Sequence, residues 1–157
     1  SYLPQEPTLL AGSVRDNLRL GLRSASDEAI LAAADIAGIK TFFDQHPQGF
    51  DFQIGERGAY LSGGQRQGIA IPRALINQGN MVLLDEPSNA MDRQSEQRLI
   101  KSLNSHCQDR TLILVTHRMD LLSLVDRVIV LRNGKIVIDG ATQAVLQQLT
   151  SASGMQS

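Results

Sequence analysis

Cysteine is almost absent. Cys107 is the single example in 157 residues, which excludes an internal disulfide and fits a reducing compartment. A basic block is missing too: 15 Lys and Arg against 16 Asp and Glu give a formal net charge of -1. A nucleic-acid partner therefore has no electrostatic footprint here. No apolar run approaches the roughly 20 residues that a membrane-spanning helix needs, and the first residues show no charged-then-apolar signal pattern. Any membrane is expected to be met through a partner. Internal repeats and low-complexity segments are also lacking. His46 and His106 have no partners at metal-ligand spacing, and His106, Cys107 and His117 fall short of the four ligands of a structural zinc site. What remains is an ordinary globular balance, 42% hydrophobic and 20% charged, at the length of one domain with a real core.

Two regions differ in pattern. From Ser13 to Tyr60 the chain reads as helical and loop-rich. Ser26 is placed to cap "DEAILAAADIAG", acids fill its first turn, and Gly38 suits its stop, with Ile30, Ala33, Ala34 and Ala37 on one face. A short helix is expected from Thr41, with Asp44 completing a capping box, ending before Pro47. From Met81 onward the pattern is α/β. "MVLL", "TLILV" and "RVIVL" are short continuous apolar runs of the kind that form parallel strands covered on both faces. "RNGK" then predicts a hairpin into "IVID", and Thr142 to Leu149 an amphipathic helix. The tail Ser151 to Ser157 is small and polar and is expected to fray.

In an open parallel sheet, reactive groups gather at the carboxyl ends of strands. "MVLLDEP" puts Asp85 and Glu86 there. One carboxylate can hold a hard cation such as Mg2+, directly or through water, and the next can align or deprotonate a water attacking a phosphate. The simpler alternative is two acids that end a strand and cap a turn. "TLILVTHR" ends similarly in His117, whose ring could sense or polarise a terminal phosphate; a lone strand-end histidine can equally be a bystander. "LSGGQRQ", Leu61 to Gln67, opens a helix with little to bury. Its glycines allow close backbone approach, Ser62 offers a hydroxyl, and first-turn amides carry partial positive charge, so it can receive phosphate. A glycine turn with a serine cap is the plainer reading of that stretch alone. The order of "YLPQEP", "LSGGQ", "LLDEP" and "VTHR" in one short chain argues against it.

With these residues the chain resembles the nucleotide-binding domain of ABC transporters. Gln5 matches the Q-loop, Leu61 to Gln65 the signature, Met81 to Glu86 the Walker B strand, Asp92 in "SNAMD" the D-loop and His117 the switch histidine. The resemblance implies a partial P-loop NTPase domain of α/β class, a mostly parallel sheet with flanking helices plus an α-helical subdomain. It divides the chain into a Q-loop segment (1–12), a helical subdomain with signature (13–80), the later part of the ATPase core (81–150) and a flexible tail (151–157). It also implies a homodimer that sandwiches two ATP molecules between the P-loop of one subunit and the signature of the other. Asp85 and Gln5 would then serve Mg2+, Glu86 would be the general base, and His117 would contact the γ-phosphate. Ser62, Gly63 and Gly64 would bind nucleotide in trans, with Gln65 and Asp92 beside them.

"QEPTLLAGSVRDNL" and "IGERG" look like exporter segments, and "SNAMD" with the sequence after "THR" is most similar to type I secretion ATPases that export RTX adhesins. This implies a transmembrane domain in the same polypeptide, a periplasmic adaptor, a secreted RTX protein, and a place on the cytoplasmic face of a bacterial inner membrane. No GxxxxGK[ST] phosphate loop occurs in residues 1 to 157. The expectation is a piece of a longer transporter whose P-loop strand lies upstream and belongs between the strand ending at His117 and "RVIVL". Alone, such a piece is expected to hydrolyse little ATP and to self-associate or pair its strands anew. Pro72, inside the helix after the signature, is expected to kink it by clashing with the carbonyl of Gly68. Two alternatives stay open: a soluble ABC ATPase of chromosome maintenance or translation, and a non-catalytic interaction module. The compact Arg15 to Tyr60 interval, in place of long heptad arms, weighs against the chromosome type.

Overall fold

A computed structural model describes residues 1–20, 26–76 and 79–153. These residues form two compact units, Ser1–Thr116 and His117–Ser157. The first holds β1 (Tyr2–Leu3), α1 (Val14–Arg19), α2 (Asp27–Ile36), α3 (Lys40–Asp44), α4 (Gly63–Ile76), β2 (Met81–Asp85), α5 (Arg93–His106) and β3 (Thr111–Val115). The second holds β4 (Arg127–Arg132), β5 (Lys135–Ala141) and α6 (Thr142–Ser153).

The first unit is built on a parallel sheet in the order β1-β2-β3. Tyr2 and Leu3 pair with Leu83 and Leu84, and Met81 through Asp85 pair with Thr111 through Val115. Val82 and Leu84 are fully buried, as a continuous apolar run in a central strand should be. The same pattern misleads for β3. Thr111, Ile113 and Val115 are exposed, and among the described residues no strand pairs with its outer edge.

"RVIVL" forms β4, which pairs antiparallel with β5 through the hairpin that "RNGK" predicts, and among the described residues it has no parallel partner. The cause is local. Asn133 (φ 51) and Gly134 (φ 74) take two successive left-handed conformations, the twist that folds a strand straight back on its neighbour.

The helices follow their caps. Ser13 and Asp16 form a reciprocal capping box at α1, and the Ser26 hydroxyl accepts from the Ala29 amide at α2. Ile30, Ala33, Ala34 and Ala37 are all buried, and Gly38 (φ 70) ends the helix in the left-handed region. The box anticipated at Asp44 does not form. α3 starts at Lys40 after Ile39, which has no capping side chain, and Asp44 instead pairs with Lys40 one turn away. α4 continues through the buried Pro72 to Ile76. Gly68 in the same helix is a packing requirement, since a β-carbon there would sit 2.1 Å from Ile39 Cγ2. Ser151 to Ser153 of the anticipated tail form the end of α6, and residues 154–157 lie outside the described residues.

Candidate functional site

Parallel strands deliver their last residues to one end of a sheet. In the β1-β2 register Leu3 lies beside Leu84, so Gln5, two residues on, and Asp85 and Glu86 leave the sheet at the same carboxyl end. Gln5 is exposed, and Asp85 and Glu86 are half-buried. Asp85 is the last paired residue of β2, opposite Val115. The chain then turns sharply. Glu86 has φ 47, a left-handed conformation uncommon in a residue with a side chain. Its amide donates to Val115 O at 2.8 Å, and Thr116 Oγ1 donates to its carboxylate at 3.4 Å. Its own carbonyl accepts from the Asn89 amide at 3.2 Å and from Gln67 Nε2 at 3.1 Å. The turn is also tied to α5, where the buried Ser88 hydroxyl donates to the buried Glu96 carboxylate at 2.7 Å.

The signature residues start α4. Ser62 is its cap: the hydroxyl accepts from the Gln65 amide at 3.2 Å, and the Gln65 side chain accepts from the Ser62 amide at 2.8 Å. This capping box leaves Ser62 exposed, with its hydroxyl an acceptor toward the helix. The serine-cap reading and the phosphate reading are thus compatible, because a capped helix start still presents first-turn amides outward. Gly63 and Gly64 have a further reason to be glycine. A β-carbon on Gly63 would lie 3.0 Å from Ala90 Cβ, and one on Gly64 would lie 2.9 Å from Ala90 O. The helix start therefore packs directly against the "SNAMD" segment of its own chain. Asp92 caps α5, accepting from the Ser95 amide and hydroxyl, both at 2.9 Å. The amide bond from Ser95 holds its carboxyl below the usual carboxylate range. His117 is exposed and opens the second unit.

Asp85 and Gln5, the two residues expected to serve magnesium, carry hard oxygen donors, and the described residues assemble no group of three or more His, Cys, Asp or Glu able to hold a metal. Cys107 stands apart from this chemistry. Burial pushes its thiol up, away from the reactive thiolate.

Sequence reasoning passed over Gln67, Ser88 and Glu96. A signal existed for Gln67, which lies four and seven residues before the buried Ile71 and Ala74 and so occupies the inner face of α4.

A family profile described as ABC transporter matches residues 1–89, more than half of the chain, and includes Gln5, Ser62 to Gln65, Asp85 and Glu86. The chain belongs to the ABC transporter family. Among curated ABC relatives, the cyclolysin secretion/processing ATP-binding protein CyaB of Bordetella pertussis is 40% identical over 142 residues, 90% of this chain and 20% of that protein. The leukotoxin translocation ATP-binding protein LktB of Mannheimia haemolytica is 40% identical over 143 residues, 91% of this chain and 20% of that protein. ABC transporter B family member 1 of Dictyostelium discoideum is 39% identical over 145 residues, 92% of this chain and 16% of that protein. The structure of a bacterial Atm1-family ABC exporter with ATP bound matches with a TM-score of 0.89 and 32% identity, over 94% of this chain and 26% of that one. The chain thus spans about a fifth or less of the length of the curated ABC relatives it matches.

Proposed function

We propose that the chain supplies part of the ATPase of an ABC exporter, coupling ATP hydrolysis to transport, with type I protein secretion as its pathway. The observation that carries this reading is the Asp85-Glu86 pair at the carboxyl end of β2, its second carboxylate on a left-handed backbone. Similarity to the secretion proteins CyaB and LktB supports the export branch.

In this reading Glu86 orients a water at the γ-phosphate and accepts its proton as the oxygen attacks phosphorus. The bond from phosphorus to the bridging oxygen breaks, giving ADP and phosphate. Asp85 and Gln5 hold magnesium, which offsets phosphate charge when bound. Ser62, Gly63 and Gly64, with Gln65 fixing the cap, meet the nucleotide of a second copy, Asp92 stands beside it, and His117 contacts the γ-phosphate. The divisions at 1–12, 13–80 and 81–150 then correspond to Q-loop, helical subdomain and later core. The partners are a second nucleotide-binding domain, a transmembrane domain, a periplasmic adaptor and a secreted RTX protein, and the site is the cytoplasmic face of a bacterial inner membrane.

The test is phosphate release by the full-length protein. Glu86→Gln is expected to cut turnover by about 100-fold or more while ATP still binds, the scale of a lost general base. Near-normal turnover in that variant would overturn the assignment of the base. A protein that binds no ATP would leave the interaction-module alternative.

A further inference from the structure

Glu86 carries its carboxylate on a backbone that a side-chain-bearing residue rarely adopts, so other groups must hold it there. The Asn89 amide is a local turn bond, which any chain following this turn would make. The Gln67 bond differs in origin. It comes from α4, 19 residues away, and its donor belongs to a side chain only 3% exposed. A glutamine buried on the apolar face of a helix needs a reason, because desolvating an amide is unfavourable unless its hydrogen bonds are replaced. The contacts of Gly63 and Gly64 with Ala90 bring the start of the same helix onto the same turn. On the other side, Ser88 anchors the turn to Glu96 of α5.

We infer that Gln67 is a positioning residue for hydrolysis: its amide, donated from the signature helix to the Glu86 carbonyl, holds the Glu86 backbone in the conformation that aims its carboxylate. The inference rests on Glu86 being the general base, and its test separates the two ideas.

Gln67→Met keeps the length of the side chain without the donor, and Gln67→Leu serves as a second variant if the first fails to fold. In the full-length protein either is expected to lower kcat for ATP hydrolysis about 10-fold or more, with KM for ATP within about 2-fold and the melting temperature little changed, the pattern of a lost transition-state interaction. In a Glu86→Gln background the same substitution is expected to cause no further loss, since residues that act through one group are not additive. A crystal structure of the variant should show Glu86 leaving the left-handed region. Unchanged kcat, a raised KM at unchanged kcat, or an equal loss in both backgrounds would overturn the inference. If the wild-type protein shows no hydrolysis that depends on Glu86, the ATPase reading falls, and the backbone then decides alone: φ of Glu86 staying near 47 without Gln67 overturns the positioning role.

Discussion

At Gly64 a single methyl group would meet the Ala90 carbonyl oxygen at 2.9 Å, a backbone atom that cannot swing aside. Gly64→Ala is therefore expected to displace the turn between Glu86 and Asp92 and to cost about 1–3 kcal/mol of stability, the range for overpacking a close contact. Thermal melting checks the cost, and a variant as stable as wild type would show that the turn moves easily. Three exposed carboxylates titrate below their ordinary range, among them Asp139, held low by its hydrogen bond from Arg127. The Ser13 hydroxyl lowers the pKa of Asp16 and the Ser95 amide lowers that of Asp92. Groups depressed in the folded state stabilise it above their unfolded pKa, about 3.9 for Asp, and lose that contribution as pH falls through the lower folded value. Asp16→Asn with Asp92→Asn should flatten the loss of stability below about pH 4, followed by circular dichroism. At this scale the sequence made Asp85, Glu86, Ser62 and the glycines visible through their spacing. Gln67 escaped notice because its donor matters only once α4 lies on the Glu86 turn.

The elements were most legible where a cap or a turn is chemically local. Ser26, Gly38 and the Asn133-Gly134 hairpin all do what their residue types require. α3 shows the limit, since an acid three residues after a threonine suits a capping box, yet Asp44 pairs with Lys40 instead. α4 offers an element-scale prediction. Pro72 removes a backbone hydrogen bond within a helix that nonetheless continues to Ile76. Pro72→Ala restores the donor, while the more flexible unfolded chain offsets about 0.4–1 kcal/mol of the gain. A net rise in melting temperature is expected, and no change or a fall would show that the helix accommodates the ring fully.

For the molecule as a whole, the sheet of the first unit ends in β3, whose outer edge is unpaired among the described residues and whose Ile113 and Val115 are exposed. Within the second unit Ile129, Leu131, Ile136 and Val137 are at least half exposed. Unpaired edges and apolar faces of this kind favour association. The 157 residues studied alone should therefore sediment as more than a monomer at high concentration. A compact, well-folded monomer would count against this. They should also hydrolyse little ATP, since no GxxxxGK[ST] loop occurs in them to hold the triphosphate. Turnover comparable to that of the full-length protein would refute it.

The sequence by itself determined the reactive residue types, their order along the chain and the local caps and turns, because these depend on neighbours a few residues apart. It could not decide which apolar runs would be covered: "MVLL" buries Val82 and Leu84 completely while "TLILV" has no fully buried residue, although the two read alike. Tertiary structure alone decided that, together with the left-handed turn at Glu86 and the hand-hold that Gln67 gives it. Each depends on which surface another element happens to cover, and burial is a property of the packed chain that no short window of residues contains.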